Sequence, residues 1–104
     1  MVKAYEFRGN SYRKLAELNT WTKQRHEAAL EPELPILDPH HHVWGDERGR
    51  YLIHELVEDV STGHNIIATV FIEAGSMYRA DGPIDMKPVG EVEFVNGIAA
   101  MSAS

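Results

Sequence analysis

The apolar positions of this chain fall into blocks of different period. From Ile36 they alternate, with Ile36, Asp38, His40, His42 and Trp44 on one face and Leu37, Pro39, His41 and Val43 on the other. That is the period of a β-strand, which Gly45 closes. In YLIHELVEDVSTG the spacing lengthens to that of a helix: Leu52, Ile53, Leu56, Val57 and Val60 make an apolar stripe, and Gly63 stands where a left-handed cap is wanted. NIIATVFIEAG is a nearly continuous β-branched run that predicts a strand over Ile66 to Ile72, buried on both faces of a parallel sheet. After the polar loop SMYRADGPIDMKP, helical spacing returns in VGEVEFVNGIAAMSA. There Val92, Val95 and Ala99 share a face, Phe94, Ile98 and Met101 broaden it, and Gly90 and Gly97 weaken the helix.

Ahead of these blocks, residues 1–10 read as a loose arm and Ser11 to Glu31 as a helix carrying Tyr12, Leu15, Leu18, Trp21 and Leu30. Pro32 ends that helix through the restriction it places on Glu31. Residues 1–33 thus form an arm and helix, and residues 34–104 two βα units, with no internal repeat and no low-complexity segment. The order is βαβα behind a helical arm, which predicts an α/β fold with a parallel sheet and right-handed crossovers. Two parallel strands leave two open edges, and a strand like Ile66 to Ile72 calls for a neighbour on each side. The chain therefore reads as the start of something larger, with self-association through its open sheet edges expected.

Composition narrows the function. At 104 residues, 43% hydrophobic and 25% charged, the chain matches one small soluble domain. Sixteen acidic against ten basic residues give a formal net charge of -6, and the scattered Lys and Arg exclude a nucleic-acid groove. The absence of cysteine excludes disulfides and thiolate metal sites. The opening MVKAYEFRGN lacks the apolar core of a signal peptide, and no apolar run approaches about 20 residues, so no membrane partner is expected and the location reads as cytoplasmic.

The strongest chemistry lies in LPILDPHHHVWG. Imidazole is a common metal ligand, and side chains at i and i+2 on one strand point the same way, so His40 and His42 can grip one cation. Asp38 lies one pleat earlier, placed to orient a ligand or act as a catalytic carboxylate. Trp44 closes the same face as a substrate-binding wall. His41 faces the other way and reads as structural. The competing reading of the pair is a strand whose histidines are satisfied by backbone carbonyls.

ILDPHHHVW, followed by a short helix and then IIATVFIEAG, resembles the first βα units of the amidohydrolase superfamily, in particular its branch of amidohydrolase-related lactonases and decarboxylases. The resemblance runs from about Trp21 onward. It implies a (β/α)₈ TIM barrel whose first strand carries an H-x-H pair at its C-terminal end, matched by His40 and His42. It further implies a divalent metal, zinc or manganese, that activates water toward a lactone, amide or similar carbonyl, although some lactonase relatives need none. The family's later ligands, histidines of strands five and six and an aspartate of strand eight, have no counterpart here. A complete barrel takes about 250 residues. The expectation is an N-terminal portion of a hydrolase, not competent by itself, that acts with the rest of its barrel on a small-molecule carbonyl or carboxylate substrate. The alternatives are a decarboxylase of the same superfamily and a non-catalytic metal-binding or interaction fragment.

Further candidates follow from position. Glu73 ends the second strand, where barrels display catalytic groups. Tyr78 and Arg79 lie in the loop behind it, and Arg79 suits a substrate carboxylate. His64 precedes the second strand and reads as structural, while His26 and His54 read as solvated. Asp81, Gly82 and Pro83 make a turn. Glu55, Glu58 and Asp59 form an acidic helix face that solvation explains.

Overall fold

The computed structural model describes residues 13–103. The predicted arm, together with Ser11 and Tyr12 of the predicted first helix, lies outside the described residues.

Two extended segments meet in parallel, as the βα alternation predicts. Strand β1 (Pro35–His41) sets Ile36 against Ile66, Asp38 against Thr69 and His41 against Phe71 of a later strand spanning Asn65–Phe71. The Ile72 N–H then donates to the His41 carbonyl at 2.8 Å. The register slips between Asp38 and His41, so that Pro39 and His40 oppose the single residue Val70. Proline has no N–H for the ladder, and an extra residue on one strand bends it and re-aims its side chains. One slip lies between Ile36 and Leu37, and this second one falls at the histidines.

The predicted strand does not run on to Trp44. It ends at His41, and after His42 and Val43 the chain enters an antiparallel hairpin of β2 (Trp44–Asp46) and β3 (Gly49–Tyr51), with Trp44 against Tyr51. The turn has a local cause. Asp46 Oδ1 accepts the Arg48 N–H at 3.0 Å, and Gly49 takes φ 109°, a conformation open to glycine.

The hairpin leads into α2 (Ile53–Val60). Glu55 caps this helix by accepting the Leu52 N–H at 2.9 Å and also receives Arg50 Nε at 2.9 Å. These two contacts, the Leu52 N–H first, hold its carboxyl below the ordinary range. Asp59 accepts the Tyr51 hydroxyl. The acidic face expected to be merely solvated therefore ties the helix to the hairpin. Gly63, at φ 117°, turns the chain toward β4 (Asn65–Phe71), as its position predicts.

A short 3₁₀ turn (Ile84–Met86) precedes α3 (Val89–Ala103), whose bounds match the predicted helix. Its packed face is rotated from the predicted one. Gly90 and Glu91 are buried and Phe94, Val95 and Ile98 half-buried, whereas Val92, Ala99 and Met101 are exposed. The cause is the seating of the first turn against the backbone of Met77–Arg79, where the Arg79 N–H donates to Lys87 O at 2.9 Å.

The N-terminal helix is shorter than its periodicity predicts. Helix α1 (Leu15–Thr22) stops well before Pro32 and has no buried residue. Thr20 and Thr22 turn their hydroxyls back to the carbonyls of Ala16 and Asn19, a competition that weakens helices. With little apolar surface packed, local propensity alone sustains about two turns.

Val43, 1% exposed, is the one fully buried apolar side chain among the described residues. The expected burial of β4 on both faces is absent here: Ile67 is 60% and Val70 51% exposed, and Leu37 on β1 is 65% exposed. Among the described residues, no helix is long and apolar enough to cross a membrane.

Candidate functional site

At the C-terminal end of β1, His40 and His42 converge. Their Nε2 atoms lie 2.9 Å apart, with the rings edge-on at 84°. His42 Nδ1 lies 2.7 Å from the Ile72 carbonyl oxygen. A carbonyl only accepts, so His42 Nδ1 carries a proton, and the Nε2–Nε2 contact is bridged by one proton. Asp38 is engaged with the backbone of this strand end: its Oδ1 accepts the His40 N–H at 3.1 Å.

His41 points elsewhere, meeting the Phe71 ring edge-on at 5.7 Å. Its Nδ1 is buried and has no hydrogen-bond partner among the described residues. Burial lowers its pKa below the ordinary histidine value, the Asp38 charge opposes this, and His42 adds to it.

Trp44 reaches the site from β2 and not from the face of β1, stacking on His42 at 5.9 Å and 29°. On Trp44 rests Arg48, its Cζ 4.7 Å from the ring centroid. Arg48 grips Asp46 through Nε at 2.9 Å and Nη2 at 2.5 Å, and gives Nη1 to the Ala74 carbonyl at 3.1 Å. The Arg48 hydrogen bonds hold the Asp46 carboxyl below its ordinary range. Asp38, His40, His42 and Trp44 line a cavity of about 820 Å³ together with Tyr51, Leu15 and Leu18 of α1, and His64. Burial first, and Asp59 second, push the Tyr51 phenol above its ordinary value.

Glu73, Tyr78 and Arg79 stand outside that cavity. They form their own contacts behind β4. The Tyr78 hydroxyl donates to Glu73 Oε1 at 2.5 Å, a bond that pushes the phenol up, and the Arg79 guanidinium pairs with Glu93. Beneath them Glu91, only 2% exposed, accepts the N–H groups of Ala74 at 2.8 Å and Gly75 at 3.0 Å.

The pair His40 and His42, with Asp38 and Trp44 beside it, is therefore brought together, while Glu73, Tyr78 and Arg79 make a neighbouring group. Among the described residues, no cluster of three or more His, Asp or Glu gathers around one point. Arg48 and Glu91 are the contributors that period and spacing do not reveal. The signal for Arg48 is the Asp46-x-Arg48-Gly49 turn chemistry; Glu91, in a helix first turn beside Gly90, carries none beyond the dipole preference for acids there. No protein-family model, curated protein or solved structure matches the chain.

Proposed function

We propose that this chain is the opening βαβα portion of an amidohydrolase-like (β/α)₈ barrel of the lactonase and decarboxylase branch. In this reading His40 and His42 are half of a divalent-metal site for hydrolysis of a lactone, amide or similar carbonyl. The observation that supports it is the convergence of the two Nε2 atoms to 2.9 Å at the C-terminal end of a parallel strand, the end where barrels of this class do chemistry.

His40 and His42 would hold a divalent cation through their Nε2 atoms, 2.9 Å apart, once the rings open slightly and give up the shared proton. His42 is already presented by its Nδ1–H bond to Ile72, the kind of outer support that fixes a ligating ring. When bound, zinc or manganese supplies carbonyl polarisation and a more acidic water. Trp44 walls the substrate space, Asp38 holds the backbone of the ligand-bearing strand, Glu73 with Tyr78 offers a proton-handling pair at the end of β4, and Arg79 a contact for a substrate carboxylate.

A second reading, an interaction module completed by a partner, draws on the exposed Leu37, Ile67 and Val70 of the sheet. Calorimetric titration with zinc and manganese separates the two. The expected result is weak binding, since catalytic zinc commonly has three protein ligands, abolished in His40→Ala and in His42→Ala and retained in His54→Ala. A parallel lactone panel is expected to show no turnover by the isolated chain. Metal affinity unchanged in both cavity variants would overturn the proposal.

A further inference from the structure

We infer that Arg48 is the positioning residue of the histidine pair: it holds Trp44 stacked beside the His42 ring and fastens the β2–β3 hairpin to the segment behind β4. The metal consequence drawn below rests on the function proposed above; the positioning itself does not.

The contacts close a ring. His42 stacks on Trp44, Trp44 lies under Arg48, Arg48 donates to Ala74 O, and Ile72, two residues before Ala74, accepts the His42 Nδ1–H. Each link constrains the next. The Asp46 carboxylate takes the Nε–Nη2 edge of the guanidinium with both of its oxygens and so fixes its plane. Ala74 cannot yield, because its N–H is held by the buried Glu91. The Arg48 side chain is only 13% exposed, so water competes poorly for these bonds. The hairpin is six residues of strand with its own two-stranded ladder, and such a hairpin is marginal by itself. Without Arg48, no hydrogen bond among the described residues ties the hairpin strands to the Ile72–Ala74 segment, Trp44 leaves His42, and the His42–Ile72 bond opens to solvent. Lysine is no substitute: a compact ammonium cannot give Asp46 a bidentate edge while stacking on Trp44 and reaching Ala74.

The test uses the full chain carrying Trp21→Phe, which leaves Trp44 as its one tryptophan. Nitrogen-resolved NMR reads the His42 tautomer and the Trp44–His42 nuclear Overhauser effect, and calorimetry reads zinc affinity. In the parent the Nδ1–H tautomer and the ring–ring effect are expected. In Arg48→Lys the ring–ring effect is lost, the tautomers mix, and zinc binding weakens about tenfold, the scale seen when outer support of a ligand is removed. Asp46→Asn keeps the turn acceptor for the Arg48 N–H but loses the carboxylate grip, and should show the same changes to a lesser degree in a chain whose hairpin is less disturbed. Ile98→Ala, half-buried on α3 and outside the cavity, lowers the unfolding temperature without moving either NMR signal; a merely structural Arg48 would behave like it. A parent that binds no zinc sinks the metal reading and leaves the two NMR signals to decide the role of Arg48. An unchanged tautomer and ring–ring effect in Arg48→Lys and Asp46→Asn would overturn the inference.

Discussion

Two glycines of α3 should respond to the same substitution with opposite sign. In a helix, Gly→Ala gains about 1 kcal/mol from propensity alone. Gly97 is exposed and a Cβ there meets nothing within 4 Å, so Gly97→Ala should stabilise by about 0.5–1 kcal/mol. At Gly90 a Cβ would run into the Met77 carbonyl oxygen and lie 2.5 Å from Arg79 N and 2.9 Å from the Tyr78 carbonyl carbon. Those are backbone atoms of one segment and cannot rotate aside. Overpacking costs typically about 1–3 kcal/mol even where side chains can adjust. Pushing the first turn of α3 outward also lengthens the two hydrogen bonds from Ala74 and Gly75 to Glu91, whose buried carboxylate makes each worth about 1.5–3 kcal/mol. Against the propensity gain, the net for Gly90→Ala is a loss of about 2 kcal/mol or more. Urea denaturation of both variants, followed by far-UV circular dichroism, reads the two values directly. Stabilisation of similar size in both would show that α3 is not seated on residues 77–79, and the account of its rotated face would fall with it.

Glu91→Gln keeps the shape but offers one acceptor where the carboxylate offers two, and should cost about 1–3 kcal/mol in the same denaturation assay; a neutral result would mean that Ala74 and Gly75 are not held by this side chain. Burial lowers the folded pKa of His41, so the unfolded chain binds more protons in the window below the ordinary value of about 6.5. Stability from this residue is therefore present above that pH and lost as pH falls through the folded value. The drop in urea midpoint between pH of about 7.5 and about 5 should be smaller in His41→Phe than in the parent, and an equal drop would refute burial as the cause. Asp46 is depressed through Arg48, so its contribution is present above about pH 4 and is lost on further acidification. The Trp44–His42 nuclear Overhauser effect should fade there, and persistence of that signal throughout the acid titration would separate the Asp46–Arg48 pair from the stacking.

Local pattern determined much of this protein. The β-branched run of Ile66 to Ile72 becomes β4, VGEVEFVNGIAAMSA becomes α3 over its whole length, and the βα alternation becomes a parallel pairing of β1 with β4. At the histidines the period of two is broken, because β1 slips its register and then ends, so the meeting of His40 with His42 and of His41 with Phe71 is set by this local break as well as by the alternation. Other features belonged to tertiary structure. The hairpin strands are three residues each, too short for any period to register, and Trp44 leaves the strand that its alternation suggested. Helix α1 stops early because propensity without a packed face cannot carry a longer one. The buried side of α3 follows from the seat of Gly90 on backbone atoms, which its apolar spacing cannot encode. Arg48 reaches the Ala74 carbonyl across 26 residues and Glu91 the N–H of the same residue across 17, each bonding a main-chain group that nearly every residue type carries alike. Periodicity records which way side chains point along one element; it holds no record of which distant carbonyl or N–H they will meet, and that was decided only when the hairpin, the end of β4 and the start of α3 came together.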